Sequence, residues 1–305
     1  PVMGLQNMLG VVLTSTGNTR ASSALMVAGT LVNLALAPAL IFGAAGLPAM
    51  GIRGAALATV LSQAAVLALT ARVLHRRHRL LGAAVTSFKR VLVSWRSVLG
   101  MGLPAVYSSI LTPLSAAVIT RIVAGYGEPA VAALGVAGRI EIFSFLVPMS
   151  VGMSLTPFVA QNYGAGRMDR ILQARRLTTV FALGFGLLAA AGLFLTAGLF
   201  ADLFTADPAV KAVLVKYIRF TCFGYGCLEL HRYSTFFMNG IQRPLYSAGL
   251  NTLRILALLI PLALLGSRLY GLDGLFAGRL VSDVAAAAAG LYVAGRVLRR
   301  AANPS

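Results

Sequence analysis

Three acidic side chains lie inside long apolar stretches of this sequence, where they could bind an ion or a proton. They are Glu141, Glu229 and Asp283, three of only 8 acidic residues in the chain. A charge at the centre of a bilayer costs roughly 2.5 kcal/mol or more, so such residues face a bundle interior, pair with one another or serve ion and proton pathways. These carboxylates are therefore the first candidates for a coupling or substrate site.

Glu229 is the best placed of the three for ion coupling. It precedes the turn at Gly240 by 11 residues, about 16 Å along a helix and so near the middle of a membrane. Arg232 follows within one turn, close enough for an ion pair. Two interpretations stay open: a group that exchanges coupling ions, and a structural pair with Arg232.

The other buried acids have arginines within reach on the sequence. Asp283 lies four residues after Arg279, the spacing of a same-face pair on a helix. Arg254 has no acid on its own helix, so we expect it to pair with Glu229 or Asp283 across the bundle.

Glu141 needs a partner from another helix. Arg139 is only two residues away and points elsewhere on a helix, so Arg121 on the preceding helix is a candidate. Aromatic side chains in the same segments are candidates for a cavity that binds cations by cation–π contact. In chain order these are Tyr107, Phe143, Phe145, Tyr225, Tyr233 and Phe236.

The elements that position these residues are membrane helices. The 305 residues are 58% hydrophobic and 11% charged, with a mean hydropathy of +0.83, whereas soluble domains are roughly a quarter charged. The net charge of +18 does not indicate a nucleic-acid partner, because the bases are crowded between long uncharged stretches rather than set on a polar scaffold. The composition predicts an all-α polytopic membrane protein.

Eight segments are long and apolar enough to cross a bilayer, and 1–16 is a shorter ninth. The eight are 21–52, 54–71, 97–120, 142–166, 177–201, 213–239, 244–266 and 272–295. Arginines fill the connections within 72–96 and 167–176 and follow the last segment, whereas the alternate connections carry acids. By the positive-inside rule, the basic loops and the C-terminus are expected on the cytoplasmic side of the cell membrane.

An internal repeat relates the beginning of the chain to its end. The first copy contains Gly17, Arg20, Pro38 and Gly43, and the same residue types recur 223 residues later as Gly240, Arg243, Pro261 and Gly266. The next loop is three residues shorter in the second copy, after which Gly51, Gly54 and Ser62 recur as Gly271, Gly274 and Ser282. The repeat predicts two six-helix bundles related by a parallel pseudo-two-fold axis, as in several carriers.

The repeat also predicts the domain organisation. Residues 97–223 have no counterpart in the first copy, so we expect that bundle to be incomplete and about 127 residues to lie upstream. The predicted regions are a remnant of the N-terminal lobe (1–75, the end of helix four to helix six), a basic connecting loop (76–96) and a C-terminal lobe (97–305, helices seven to twelve).

Several motifs resemble the multidrug and toxic compound extrusion (MATE) transporters. The stretch PFVAQNYGAGRMDRILQARR (157–176) resembles the end of helix eight and its loop, with Gln161, Asn162, Gly164 and Gly166 as the most specific residues. The turn TGNTR (16–20), GIRGAALATVLSQ (51–63), GMGLPA (100–105) and MNGIQRP (238–244) are similar to other parts of the family.

The resemblance implies an antiporter that exports cationic or amphipathic compounds in exchange for H⁺ or Na⁺. It implies no cofactor beyond that ion, and we expect a monomer in a lipid bilayer. In the sodium-coupled branch, helix seven carries a glutamate where this chain has Thr112, and helix ten an aspartate where it has Leu228, with Glu229 alongside.

A flippase for lipid-linked oligosaccharides, from the same superfamily, is the alternative. Such a protein needs cationic side chains around its cavity to bind a pyrophosphate, and five intramembrane arginines are available: Arg121, Arg139, Arg232, Arg254 and Arg279. An enzyme is not expected, because the apolar segments carry no paired aspartates, HExxH motif or serine–histidine set.

Overall fold

The computed structural model describes residues 2–43, 48–77 and 88–302, and for 88–90 it describes the backbone alone. The regular structure in these ranges is helical. The chain forms two compact units, 1–91 and 92–305. The first contains α1 (Val2–Ser15), α2 (Thr19–Phe42) and α3 (Ile52–Arg76). The second contains the larger part of the fold and all the acidic and arginine residues proposed above for the site.

Helix α3 packs against both α1 and α2. Asn18 begins α2, since its side chain accepts a hydrogen bond from the backbone N–H of Ala21 at 3.2 Å, an N-cap that satisfies one free donor. Asn33 of α2 donates to Ser62 of α3 at 3.3 Å. A Cβ on Gly54 would meet the backbone of Leu40, so a glycine is required where α2 and α3 touch.

The second unit is a bundle of long helices. Its elements are α4 (Phe88–Ala124, which starts in the first unit), α5 (Glu128–Gly164), α6 (Met168–Phe204), α7 (Pro208–Thr221), a 3₁₀ turn (Cys222–Gly224), α8 (Tyr225–Gly240), α9 (Pro244–Thr252), a π-helical segment (Leu253–Leu259) and α10 (Ile260–Ala302). Pro261 follows the π-helical segment, where the missing N–H disturbs the helical hydrogen bonds. Non-helical angles at Tyr270 and Gly271 form a kink that divides α10 into two helical parts.

The predicted spans correspond to these helices. Six described helices are long and apolar enough to cross a membrane, and the last of them, Pro244–Ala302, holds two spans because of the break at Tyr270 and Gly271. The stretch from Pro208 to Gly240 supplies the remaining span, with the 3₁₀ turn inside it. The prediction of an all-α multi-pass membrane protein is confirmed.

The outer surface of the bundle is apolar, as lipid contact requires. Helix α6 exposes a row of leucines: Leu187, Leu188, Leu195, Leu199 and Leu203. Its other face meets α8 through Gly186 and Gly226, where a Cβ on either residue would collide with the opposite backbone. Twelve of the 16 residues of α8 are buried, so α8 is an interior helix and Glu229 is an interior residue.

Backbone geometry supports the internal repeat. Gly51 (φ 54°, ψ −129°) and its counterpart Gly271 (φ 62°, ψ −141°) share a conformation that is essentially restricted to glycine. Gly54 and Gly274 both pack against backbone atoms, of Leu40 and Gly266 respectively. The two copies differ at their first turn, where the positive φ belongs to Gly17 in one and to Gln242 in the other.

The predicted connecting loop is only partly described. Residues 78–87 lie outside the described residues, and 88–96 belong to α4, which begins nine residues before the predicted span. The lobe boundaries and the cytoplasmic side of the basic loops stay predictions.

Candidate functional site

A cavity of about 710 Å³ lies inside the second unit, within the size range of small-molecule sites. Helices α4 and α5 supply one side, with apolar residues and the hydroxyls of Thr112, Ser115, Thr120 and Ser150. The other side is contributed by α7, α8, α10 and the π-helical segment. Among the described residues, the charged lining consists of Glu141, Arg232, Arg254 and Arg279.

Glu141 joins three helices at the edge of this cavity. Its Oε1 accepts hydrogen bonds from the Tyr217 hydroxyl at 2.6 Å, from the Tyr225 hydroxyl at 3.3 Å and from Arg279 Nη2 at 2.7 Å. Arg279 also donates to the Tyr217 hydroxyl. Arg121, the candidate partner named from the sequence, is exposed, and the arginine that binds Glu141 is instead Arg279 of α10.

Asp283 is the second buried acid and is held by Arg254. Arg254 donates to Asp283 Oδ1 through Nε at 3.1 Å and Nη2 at 2.9 Å, and the aspartate side chain is only 3% exposed. Arg279 Nε lies 3.9 Å from Asp283 Oδ2, so the predicted same-face pair exists but is the longer contact. A continuous line of charges therefore runs from Glu141 through Arg279 and Asp283 to Arg254.

Glu229 forms a separate pair with Arg232. Arg232 Nη1 donates to Glu229 Oε1 at 2.6 Å, the side chain of Glu229 is 2% exposed and that of Arg232 is 37% exposed. The second oxygen, Oε2, is buried without a hydrogen-bond partner among the described residues. The guanidinium of Arg232 lies 4.8 Å from the ring centroid of Phe145. Both interpretations of Glu229 stay open, since an ion pair is present and one oxygen has no donor.

The predicted aromatic residues separate into two groups. Phe145 lines the cavity, and Tyr225 lies behind it, 4.7 Å away between ring centroids. Tyr107 is outside the cavity lining, and its hydroxyl accepts from Thr252 Oγ1 at 3.3 Å. Phe143 is exposed and is not among the residues that line the cavity. Tyr233 is buried and donates to the Pro148 carbonyl at 2.9 Å.

Tyr217 is a site residue that the sequence reasoning missed. It lines the cavity and bonds both Glu141 and Arg279. Tyr217 and Tyr225 are eight residues apart within one predicted span (213–239), and residues at this spacing share a face of a continuous helix. This spacing is the sequence signal that indicates Tyr217.

The motif residues of α5 close the helix rather than line the cavity. Asn162 Nδ2 donates to the Phe158 carbonyl at 2.8 Å. Gln161 accepts at its carbonyl from the N–H of Ala165, and Gly164 is the last residue of α5. Gly166 has φ 70°, which favours glycine in the turn before α6.

The face that a ligand would meet is cationic. The connected line of charges and the separate Glu229–Arg232 pair together contain three arginines and three carboxylates, so their formal charges balance. However, two of the carboxylates, Glu229 and Asp283, are buried behind their arginines, whereas Arg232, Arg254 and Arg279 line the cavity. Arg121 and Arg139 do not line it.

The comparisons with known proteins agree with this architecture. The sequence matches the MatE family over residues 104–265. It is 35% identical over 285 residues to a protein of Shewanella oneidensis named FAD transporter, covering 93% of this chain and 63% of the relative. It is 33% identical over 183 residues to the Bacillus subtilis protein named probable multidrug resistance protein YoeA, covering 58% of this chain and 39% of that one.

Among solved structures, the Vibrio cholerae MATE transporter VcmN in its bent form superposes with a TM-score of 0.89 at 27% identity, over 98% of this chain and 67% of VcmN. The chain thus spans 63% of the Shewanella relative and 39% of YoeA, less than two thirds of the length of either. The family match covers more than half of the chain and includes α5, α7 and α8, which carry most of the site. The chain belongs to the MatE family of multi-pass membrane transporters.

Proposed function

We propose that this protein is a secondary exporter that moves amphipathic small molecules with aromatic groups across the cell membrane by alternating access. The observation that carries the proposal is the cavity of about 710 Å³ inside the bundle, on which the intramembrane arginines and Glu141 converge. Its lining is largely apolar with a few fixed polar groups, the usual composition of a small-molecule site. The cytoplasmic placement of the basic loops and of the C-terminus, and a monomeric state, are parts of this proposal.

The substrate that fits this lining best is an amphipathic anion with phosphate groups. Arg232, Arg254 and Arg279 face the cavity, and guanidinium groups match phosphate oxygens in charge and geometry. The Shewanella relative is named for FAD, which joins an aromatic flavin to a pyrophosphate. A cell interior that is negative also favours the exit of an anion, by about 2.3 kcal/mol per charge at 100 mV.

Export of cationic compounds in exchange for H⁺ or Na⁺ is the second candidate. The carboxylate of Glu141 lines the cavity, Oε2 of Glu229 is buried without a hydrogen-bond partner among the described residues, and YoeA is named for multidrug resistance. Glu229 would then be the coupling residue. The alternative is a flippase for polyprenyl-pyrophosphate lipids. Its substrate has the same pyrophosphate group as FAD and would bind the same cavity arginines, Arg232, Arg254 and Arg279.

The test uses energised inverted membrane vesicles that contain the protein, supplied with either FAD or the cationic dye ethidium. Accumulation of FAD, followed by flavin fluorescence after filtration, is the result expected of the first candidate. The second candidate predicts that the vesicles take up ethidium and release protons, and that Glu229→Gln abolishes both processes. Vesicles that accumulate neither compound at any pH or sodium concentration would contradict the export proposal.

A further inference from the structure

The three arginines of the cavity differ in how far their hydrogen-bonding capacity is already used. Arg254 gives two donors to Asp283. Arg279 bonds Glu141 and the Tyr217 hydroxyl, and its Nε approaches Asp283. Their side chains are 16% and 19% exposed. These two arginines hold helices together, and little of either guanidinium is left for a ligand.

Arg232 is different, because the described residues accept only one of its hydrogen bonds. That bond leaves from Nη1 to Glu229, while a guanidinium has five N–H donors. The side chain is 37% exposed and lines the cavity. The edge of the guanidinium that does not touch Glu229 is therefore available to a ligand inside the bundle.

Two contacts hold that guanidinium in place. Glu229 accepts a hydrogen bond from Nη1 on one edge. The Cζ atom of Arg232 lies over the ring of Phe145, 4.8 Å from the ring centroid. Phe145 is itself buried against Tyr225. A guanidinium that is held on one edge and on one face loses little further freedom on binding, so the site is prepared for an anion before the anion arrives.

Other parts of the lining of this cavity suit an aromatic or aliphatic group. Ile142, Leu146, Met149 and Met153 of α5 line the cavity, and their side chains are exposed to it or to the bundle surface. Methionine adapts to flat rings of different shape. An anionic head at Arg232 and an apolar group along α5 together describe an amphipathic phosphate ester.

We propose that Arg232 is the anion-binding residue of this cavity, holding a phosphate or pyrophosphate of the transported molecule through its Nη2 and Nε edge while Glu229 holds Nη1. Arg254 and Arg279 position the helices around it. This assignment rests on the export proposal above and adds the residue and the ligand chemistry. The pyrophosphate has two sources, a soluble dinucleotide such as FAD and a polyprenyl lipid.

The test is a binding experiment on the purified protein in phosphatidylcholine nanodiscs. FAD and riboflavin, which lacks phosphate, are titrated by flavin fluorescence polarisation, and ethidium by its own fluorescence. Farnesyl pyrophosphate and inorganic pyrophosphate are measured as competitors of FAD. We expect FAD to bind at least about tenfold more tightly than riboflavin, the difference that one charge-assisted hydrogen bond provides.

The diagnostic variant is the double substitution Glu229→Gln and Arg232→Gln, because Arg232→Gln alone leaves a buried carboxylate unpaired and risks misfolding. We expect it to lose the preference for FAD while its affinity for riboflavin changes less than about twofold. Arg219→Gln is the matched control, since Arg219 also lies over a phenylalanine ring, 5.3 Å from Phe194, but is exposed outside the cavity.

Each outcome decides a different statement. If the double variant keeps the preference for FAD, or if Arg219→Gln loses it equally, the assignment of Arg232 is wrong and the export proposal stands. If the wild type binds riboflavin or ethidium without preferring FAD, the anion site is wrong and export stands. If it binds none of these compounds, both proposals fail. The competitors identify the source of the pyrophosphate. If farnesyl pyrophosphate displaces FAD far better than inorganic pyrophosphate does, and only in proteins that keep Arg232, the result supports the same site with a lipid as the ligand.

Discussion

Asp283→Asn is expected to destabilise the protein strongly, and the expected size follows from the geometry. The aspartate is 3% exposed and Arg254 has two hydrogen bonds to its Oδ1. Removing one partner of a buried pair costs about 3–5 kcal/mol, because the other charge is left uncompensated. Arg254→Gln should cost less, since Arg279 still lies 3.9 Å from Asp283. The double variant, which removes both charges, should recover most of the loss.

The assay is a double-mutant cycle in detergent, with the unfolding free energy taken from the loss of monodisperse protein on size exclusion after denaturant treatment. The matched control is the exposed pair Lys216–Asp273, whose charges lie 3.0 Å apart and whose coupling should be below about 1 kcal/mol. Additive effects of Asp283→Asn and Arg254→Gln, or a coupling no larger than that of the control pair, would refute the buried network.

Three further predictions concern the site and its support. Glu229→Gln removes a negative charge beside the anion site but keeps an oxygen that can accept from Arg232 Nη1, so the affinity for FAD should rise by about tenfold in the nanodisc titration; an unchanged or weaker affinity contradicts it. Tyr217→Phe removes one donor to Glu141 and should lower the unfolding free energy by about 1–2 kcal/mol, measured beside Tyr246→Phe, an exposed tyrosine, as control. Gly226→Val places side-chain atoms against the backbone of Gly186 and should abolish monodisperse expression, whereas a valine at exposed Gly198 should be tolerated.

The sequence predicts the helices of this fold well, because each signal for them is local. Twenty apolar residues decide a span, and a glycine with positive φ, such as Gly51 or Gly271, marks the bend before the next helix. The same holds for Glu229 and Arg232, since their spacing of three residues on one helix decides their contact. These features need no knowledge of how helices pack.

Most contacts between helices could not be predicted in this way, although the pairing of Arg254 with Asp283 was one of two alternatives that the sequence left. Glu141 and Arg279 are 138 residues apart, and their meeting depends on the rotation of α5 and α10 about their own axes. That rotation is set by close approaches of small residues, such as Gly186 to Gly226, which a hydropathy pattern does not locate. The sequence therefore supplied the arginines as a set but not their division into two that bind acids fully and one that is left partly free.

The Glu229–Arg232 pair is where the two candidate functions make opposite demands on the molecule. A cationic substrate must compete with Arg232 for Glu229, and a proton on Glu229 would expel it, which is the exclusion that an antiporter needs. An anionic substrate binds the other edge of the Arg232 guanidinium and is repelled by the charge of Glu229, so a proton on Glu229 would favour it. Because glutamine has the shape of a protonated glutamate, Glu229→Gln separates these cases: ethidium binding should weaken under the first and FAD binding should strengthen under the second. The exposure of Arg232 at 37% against 2% for Glu229 gives the ligand direct access to the arginine alone, and on that ground we expect the second result.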